Sequence, residues 1–265
     1  MLSKILNFLR IDSAEVVFKD GPERIKVHKK ILLSKKLTQT IFQEFYKIMI
    51  KKMNFHFKES LSIKKVELGS GTSFLKEIDK SILKTDVVDN NDLDLVVDAT
   101  NMPFKNNEIK SFFGIFFFHH LQNPYKFLNE IDRCCAVNGG AILIEPYHGP
   151  LSRFLHQNMH DNEYYDLNGP TIKDTSLPMS NANQALSHIV FFREKKIFEK
   201  KYPNLKVVEI KRINSYLRYL VSGGINFKQL LPDIFIPLLK LVEFIMKPFS
   251  HFFCVHYLIV IKKIK

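Results

Sequence analysis

The sequence predicts an α/β fold, in which a mostly parallel β-sheet carries helices on both faces. From residue 63 to residue 145, short apolar segments alternate with polar or helical ones. Crossover connections between parallel strands produce this order. Near its start, residues 66–71 read Val-Glu-Leu-Gly-Ser-Gly, and a helical pattern covers 72–78. That combination is typical of a strand, a tight turn and a helix.

The pattern in the first half of the chain predicts one long helical segment with an apolar stripe, followed by five strands. The stripe lies at 24–58 and includes Ile41, Phe45 and Met49. We expect strands at 63–68, 82–87, 93–97, 111–118 and 140–145. A helix at 123–137 should begin near Pro124 and stop at the Asn-Gly-Gly sequence of 138–140.

The second half is less regular. Residues 146–192 are rich in Pro, Asn, His and Tyr, and we expect a long loop that either covers a site or is mobile. We expect a helix at 192–201, a strand at 205–213, helical segments within 215–249 and a last strand at 253–261. Residues 1–265 are interpreted as one domain, with an N-terminal helical segment at 1–60, a core at 61–145 and a variable part at 146–265.

The composition argues against several classes of protein. With 46% hydrophobic residues and a net charge of +12, wholesale disorder is not expected. The charge favours a lysine-rich solvated surface, an anionic membrane face or an anionic substrate, and no motif indicates nucleic-acid binding. Cys134, Cys135 and Cys254 have neither zinc nor disulfide spacing. Because no transmembrane span or secretory signal is recognised, we expect a cytoplasmic protein, with peripheral contact at the inner membrane face as an option.

Polar residues stand where the strands of the predicted sheet end, which is the edge where such sheets bind ligands. The residues at these positions are Glu67, Gly69, Ser70, Gly71 and Thr72 after the first strand, Asp86 after the second, Asp98 and Ala99 after the third, His119 and His120 after the fourth, and Glu145, Tyr147 and His148 after the fifth. The glycines let a ligand approach the backbone closely. The spacing of Asp86 from Glu67 suits a carboxylate that accepts from two ribose hydroxyls.

In this order the motifs resemble a class I S-adenosylmethionine-dependent methyltransferase, and most closely the small bacterial methyltransferase type 11 group. The likeness rests on Glu-Leu-Gly-Ser-Gly-Thr at 67–72, Asp-Ala-x-x-Met-Pro-Phe at 98–104, His-His-Leu at 119–121, Arg133, Asn-Gly-Gly at 138–140 and Glu-Pro at 145–146. Weaker matches at 180–191 and 218–224 extend it over about residues 60–262.

The resemblance implies a Rossmann-like sheet of seven strands, with the last strand antiparallel at or next to an edge. It also implies S-adenosylmethionine as the cofactor, bound by the 61–145 core and covered by the N-terminal segment and the 146–192 loop. Gly69 and Gly71 would lie under its methionine part, Glu67 would orient its amino group, Asp86 would bind the ribose and Asp98 the adenine. Ser70, Thr72, Ala99, Met102 and Phe117 complete the implied cofactor-binding set.

Three features depart from the family pattern. Ser73 replaces the usual third glycine, and Phe116 stands where relatives often carry a polar residue. Only 11 residues separate Asp86 from Asp98, which is too few for a full helix between the second and third strands.

The acceptor side of the site is less sharply defined. His120, and after it His119, is a candidate general base because histidine can take a proton at neutral pH. The alternatives are a structural hydrogen bond and a reaction that relies on positioning alone. Candidate acceptor-binding residues are Glu145, Tyr147, His148 and His160, which ordinary loop polarity would also explain. The set His148, His156, His160 and Asp161 has no strong ligand spacing, so no metal site is predicted.

These observations predict an enzyme that methylates an oxygen or nitrogen nucleophile of a small-molecule or glycan-like acceptor. Two alternatives stay open. One is a catalytically weak scaffold that keeps the cofactor site, suggested by Ser73 and Phe116. The other is a membrane-surface methyltransferase of a lipid or lipid-linked acceptor. The apolar segment 227–253 bears on the latter, because it is either a helix packed on the sheet or a surface that rests on a bilayer.

Overall fold

A computed structural model of the protein describes residues 8–11, 21–159, 163–169 and 182–265. The strands are β1 (Lys64–Glu67), β2 (Ile82–Asp86), β3 (Leu95–Val96), β4 (Ile109–Ile115), β5 (Cys135–Pro146), β6 (Glu163–Tyr164), β7 (Ala182–Asn183), β8 (Leu205–Ile213) and β9 (His256–Lys263). Seven of them form one sheet in the order β3-β2-β1-β4-β5-β9-β8, and β6 pairs with β7 apart from it.

The first five strands of this sheet pair in parallel, and β9 runs antiparallel to both β5 and β8. The expected seven-stranded, mostly parallel sheet is therefore confirmed, and so is an antiparallel last strand next to an edge. All five parallel strands end at the same edge, which brings their terminal residues together.

The helices are α1 (Pro22–Ser34), α2 (Lys36–His56), α3 (Leu75–Ile78), α4 (Pro124–Cys134), α5 (Pro150–Asn158), α6 (Leu186–His188), α7 (Lys195–Lys201), α8 (Tyr216–Ser222), α9 (Ile236–Ile245) and α10 (Ser250–Phe253). Short 3₁₀ turns cover Phe118–His120, Asp233–Phe235 and Lys247–Phe249, and a π-helical turn covers Ile189–Arg193.

Two apolar cores lie on opposite faces of the sheet, because neighbouring residues of a strand point in opposite directions. On one face, Phe112 and Leu143 pack with apolar residues of α4. On the other face, Phe113 and Ile142 pack with apolar residues of α2. Helices therefore cover both faces, as the alternation of strands and helices predicts.

Several local expectations need correction. The sequence 138–140 does not stop the helix, because α4 ends at Cys134 and these residues lie inside β5. The expected loop at 146–192 contains a helix, α5, and the short pairing of β6 with β7. The described segment between β2 and β3 holds no helix, in agreement with its short length.

Buried charges connect the terminal parts of the chain. Lys35 lies between α1 and α2, and its Nζ donates to the carbonyls of Ser222 and Gly224 at 3.1 and 2.8 Å and to that of Phe227. Burial lowers the pKa of Lys35 to about 8. Arg218 of α8 forms a second link, because it pairs with Glu44 of α2 and with Glu243 of α9, each at 2.7 Å.

Candidate cofactor and acceptor site

The turn after β1 is shaped by two glycines in the left-handed region. Gly69 has φ +59° and Gly71 has φ +44°, values that a residue with a Cβ rarely adopts. A Cβ at Gly69 would lie 2.6 Å from Cδ2 of Phe117, whereas one at Gly71 would meet no atom of the described chain within 4 Å. Phe117 therefore supports the turn from one side, and the space over Gly71 is open to a ligand.

Two buried polar atoms in this turn have no partner among the described residues: Oε2 of Glu67 and Oγ of Ser70. Burial raises the pKa of Glu67 to about 8, although Ser73 and the charge of Lys84 act in the other direction. An unpartnered buried oxygen is costly, and native proteins rarely retain one without a function. Both atoms are available to a ligand that brings its own donors.

Two aspartates follow β2 and β3. Asp86 is buried, and its carboxylate accepts the N–H of Gly71 at 2.8 Å and that of Val88 at 3.1 Å. It thus ties the end of β2 to the glycine turn and retains lone pairs for further donors. Asp98 is exposed and accepts the N–H and the hydroxyl of Thr100 at 2.7 and 2.8 Å.

These residues line one cavity of about 560 Å³. Its lining includes the implied cofactor residues Glu67, Gly69, Ser70, Gly71, Thr72, Asp86, Asp98, Ala99 and Phe117, together with His120. Met102 is not part of this lining. Its side chain is buried in the core, and its N–H donates to Glu130.

The N-terminal helices complete the wall of this cavity through Arg24, His28, Phe42 and Tyr46. Ile225 contributes from the turn between α8 and α9. Helices of the N-terminal segment thus line the cavity, as that segment's expected position over the site requires, but no described residue of 146–192 does. The sequence predicts a helix with an apolar stripe at 24–58. It does not show which residues of that helix line the cavity, because this depends on tertiary packing.

The two histidines after β4 have different surroundings. His120 lines the cavity, whereas the side chain of His119 is 3% exposed and its Nδ1 lies 2.6 Å from Glu145 Oε2. Burial lowers the pKa of His119, but the charge and hydrogen bond of Glu145 outweigh it, so the net shift is upward. His119 is therefore not part of the cavity lining, whereas His120 is.

Glu145 is fully buried and accepts the N–H groups of residues 117, 118 and 119 in addition to the His119 ring. This corrects its expected role as an acceptor-binding residue, because its oxygens are already used by the turn. Glu145 instead fixes the backbone that presents Phe117 and His120.

The remaining acceptor candidates do not meet in the cavity. Tyr147 contacts Nδ1 of His251 at 2.9 Å. His148 contacts the Tyr165 hydroxyl and stacks on His188 with ring centroids 3.8 Å apart. His160 lies outside the described residues. Tyr147 and His148 lie in the loop after β5, so their positions could not be deduced from a strand end.

The residues present fit S-adenosylmethionine. Glu67 Oε2 and Ser70 Oγ are buried acceptors beside an open glycine turn, which suits the amino acid end of the cofactor. Asp86 at the end of β2 is placed for a ribose, and Asp98 and Ala99 lie further along the same cavity.

Comparison with known proteins agrees with this fit. Residues 68–143 match the family model described as a methyltransferase domain. The matched segment contains the glycine turn after its first residue, both aspartates and the two histidines. The match covers less than a third of the chain and is consistent with the resemblance to class I S-adenosylmethionine-dependent methyltransferases of the type 11 group. No curated protein matches the chain in sequence.

Solved structures with a similar fold share little sequence with the chain. A SAM-dependent methyltransferase from Archaeoglobus fulgidus is 14% identical with a TM-score of 0.45, and the match covers 83% of this chain and 93% of that one. A geranyl diphosphate C-methyltransferase from Streptomyces coelicolor A3(2) is 9% identical with a TM-score of 0.44, over 82% and 78% of the two chains. The [4+2]-cyclase SpnF is 11% identical with a TM-score of 0.44, over 81% and 80%.

Proposed function

We propose that the protein methylates an oxygen or nitrogen nucleophile of a small-molecule or glycan-like acceptor that binds in the cavity next to His120. The observation that carries this proposal is the continuity of one cavity from the glycine turn to His120. Aromatic side chains, Phe42, Tyr46 and Phe116, line the same space. Acceptor and cofactor would thus share a site from which the surrounding side chains exclude water.

Bound S-adenosylmethionine supplies a methyl group whose bond to the sulfonium breaks as a bond to the acceptor oxygen or nitrogen forms, with the electron pair left on sulfur. The protein's contribution is mainly alignment. Glu67, Asp86 and the glycine turn would hold one reactant, and Phe117 packs against this turn. His120 can receive the proton that the acceptor loses.

Calorimetric titration with S-adenosylmethionine and S-adenosylhomocysteine tests the cofactor site directly. We expect micromolar binding of both, followed by release of S-adenosylhomocysteine when an acceptor pool of sugars and lipid-linked glycans is added. Mass spectrometry would then locate the added methyl group. Binding without release from any pool would favour the scaffold alternative, and no binding by folded protein would contradict the proposal.

A second candidate function, methylation at a membrane surface, is favoured by the orientation of α9. This helix buries an acid, Glu243, and turns large apolar side chains outward. Phe244 is 72% exposed, and Ile234 just before the helix is 81% exposed. The apolar face comprises Ile234, Leu238, Leu241, Phe244, Ile245, Phe249 and Phe252, all exposed. A soluble surface helix normally has the opposite arrangement.

The burial of Glu243 on the inner side of α9 is explained by its ion pair. Glu243 pairs with Arg218, and Arg218 pairs with Glu44, so an ion network joins the buried Leu239 in anchoring the inner side. Because α9 packs against α8 and exposes most of its large apolar side chains, it does not support the interpretation of 227–253 as a helix packed on the sheet. Lys240 is ion-paired with Glu44 at 2.8 Å. Lys247, just after α9, is exposed, and its charge would favour an anionic bilayer surface over a neutral one. Among the described residues, no helix is long and apolar enough to cross a membrane.

Sedimentation with liposomes tests this second function. At low salt we expect binding to vesicles with anionic lipid and weaker binding to neutral vesicles. Leu241→Glu with Phe244→Glu should abolish binding, whereas Leu61→Glu, at an exposed leucine far along the chain, should not. Equal binding by both variants would exclude the apolar face as the contact surface.

A further inference from the structure

Three side chains of metal-ligand type lie together beside the turn that follows β4. His119 and His120 come from the 3₁₀ turn Phe118–His120, and Glu163 comes from β6. One potential ligand atom of each residue lies within 4.8 Å of those of the other two. The group differs from the His148, His156, His160 and Asp161 set considered in the sequence, and only the fold brings Glu163 to the two histidines.

His119 has the orientation that metal-bound histidines usually adopt. A carboxylate can only accept, so the neutral ring donates from Nδ1 to Glu145 and presents the lone pair of Nε2. Glu145 is itself fixed by three backbone N–H groups. A carboxylate behind the ring is the common partner of a metal-bound imidazole, because it fixes the tautomer and increases the basicity of the free nitrogen.

The carboxylate of the group is supported in the same way. Gln184, a buried residue that follows β7, donates from Nε2 to Oε2 of Glu163. Glu145 and Glu163 thus place two carboxylates close to the His119 ring. Their negative charges favour a cation bound at Nε2.

We propose that His119, His120 and Glu163 bind one divalent transition-metal ion at the wall of the cofactor cavity. Two imidazoles and a carboxylate are a ligand set suited to Zn²⁺ or Fe²⁺. Bonds of about 2.0–2.2 Å place ligand atoms of one ion within about 4.4 Å of each other. Since His120 and Glu163 are only partly buried, small side-chain rotations would achieve this.

The role of the ion rests on the proposed function, whereas its binding does not. His120 lines the cavity, and three protein ligands leave further coordination positions open. An acceptor hydroxyl bound at such a position would hold its proton less tightly. His120 would then be a ligand and not the general base, so these two roles exclude each other.

Metal binding is measurable without cofactor or acceptor. Protein purified without a metal-affinity tag and stripped with a chelator is titrated with Zn²⁺ by calorimetry and with Co²⁺ by visible absorption. We expect one ion per chain, and a loss of affinity of about a hundredfold in Glu163→Gln and in His120→Asn. The matched control is His251→Asn, which removes an exposed histidine outside the group and should bind like the wild type.

Three results would overturn the proposal: no stoichiometric binding, wild-type affinity in a folded Glu163→Gln protein, or an equal loss in His251→Asn. Circular dichroism of each variant checks the fold, and Glu163→Gln suffices if His120→Asn does not fold. Titration of the same Glu163→Gln protein with S-adenosylhomocysteine separates this proposal from the proposed function. Normal nucleoside binding with lost metal binding supports both.

Discussion

Two buried glutamates, at the ends of β1 and β5, have opposite surroundings. Glu67 has an oxygen without a partner among the described residues, and burial raises its pKa to about 8. Glu145 accepts from three backbone N–H groups and from His119. Both occupy carboxyl ends of parallel strands, so position in the sheet alone does not distinguish them.

This difference distinguishes a buried acid that stabilises the fold from a buried acid that is available to a ligand. An acid whose lone pairs are all used stabilises the structure around it, whereas an acid with an unused lone pair costs stability until a ligand supplies a donor. Glu67 is therefore expected to be dispensable for folding and essential for cofactor binding. Glu145 is expected to be the reverse.

The largest expected effect is a difference in the free energy of unfolding when each of the two glutamates is replaced by glutamine. Glu145→Gln turns an amide N–H₂ toward backbone donors and should lower the free energy of unfolding by about 3–5 kcal/mol. Glu67→Gln should change it by less than about 1 kcal/mol near pH 6, because the acid there is already neutral. Urea denaturation of both variants checks this, and equal losses would remove the distinction.

Asp86 is a third buried acid, and its substitution should affect cofactor binding. Asp86→Asn should weaken S-adenosylhomocysteine binding by about 30-fold or more, since a charge-assisted pair of hydrogen bonds to the ribose is lost. Calorimetry measures the affinity. Asp89→Asn, an exposed position in the same loop with the same change of charge, is the control, and a similar loss there would point to general electrostatics.

Proton release provides a sharper test of Glu67. With a pKa of about 8, Glu67 is protonated at pH 7 in the free protein, and the cofactor's ammonium group should favour the ionised form. Binding should therefore release a proton, and affinity should increase by up to about tenfold per pH unit from pH 6 to pH 8. Titration at pH 7 in buffers of different ionisation enthalpy measures the proton, which should be absent in Glu67→Gln.

The raised pKa of Glu67 also determines the direction in which the free energy of unfolding changes with pH. Between the usual glutamate range and pH 8, the folded chain holds a proton that the unfolded chain has released. The contribution of Glu67 to the free energy of unfolding therefore decreases as pH rises through this window.

The smallest effect is expected at Ser70. Its hydroxyl is buried and has no partner among the described residues, so Ser70→Ala should leave the free energy of unfolding within about 1 kcal/mol of wild type. The affinity for S-adenosylhomocysteine should fall only a few-fold, because one neutral hydrogen bond is lost. A loss as large as that of Asp86→Asn would mean that Ser70 shapes the turn itself.

Sequence patterns predicted the sheet, and most of the implied cofactor residues line one cavity, for a physical reason. Strand ends and glycine turns are local features, so Gly69, Asp86 and Asp98 could be placed from their order along the chain. The acceptor side depends on contacts between distant segments. Glu163 approaches His120 only through the fold, and the capture of Glu145 by residues 117–119 requires β4 and β5 to be neighbours.

The helices show the same limit. In α9 one of the two buried residues is an acid, Glu243, and its partner Arg218, on another helix, makes that orientation favourable. Periodicity locates such a helix but assigns its faces wrongly, because hydrophobicity normally indicates the inner side. In α5, Ser152 and His156 are buried whereas Phe154 is exposed. Hydrophobicity would therefore assign the inner side of this helix wrongly as well.

The carbonyl contacts of Lys35 have a consequence for the walls of the cavity. Lys35 connects the junction of α1 and α2 to the turn that carries Ile225, and residues from both sides of this joint line the cavity. A single ammonium group outside the cavity thus joins two of its walls, which come from distant parts of the chain.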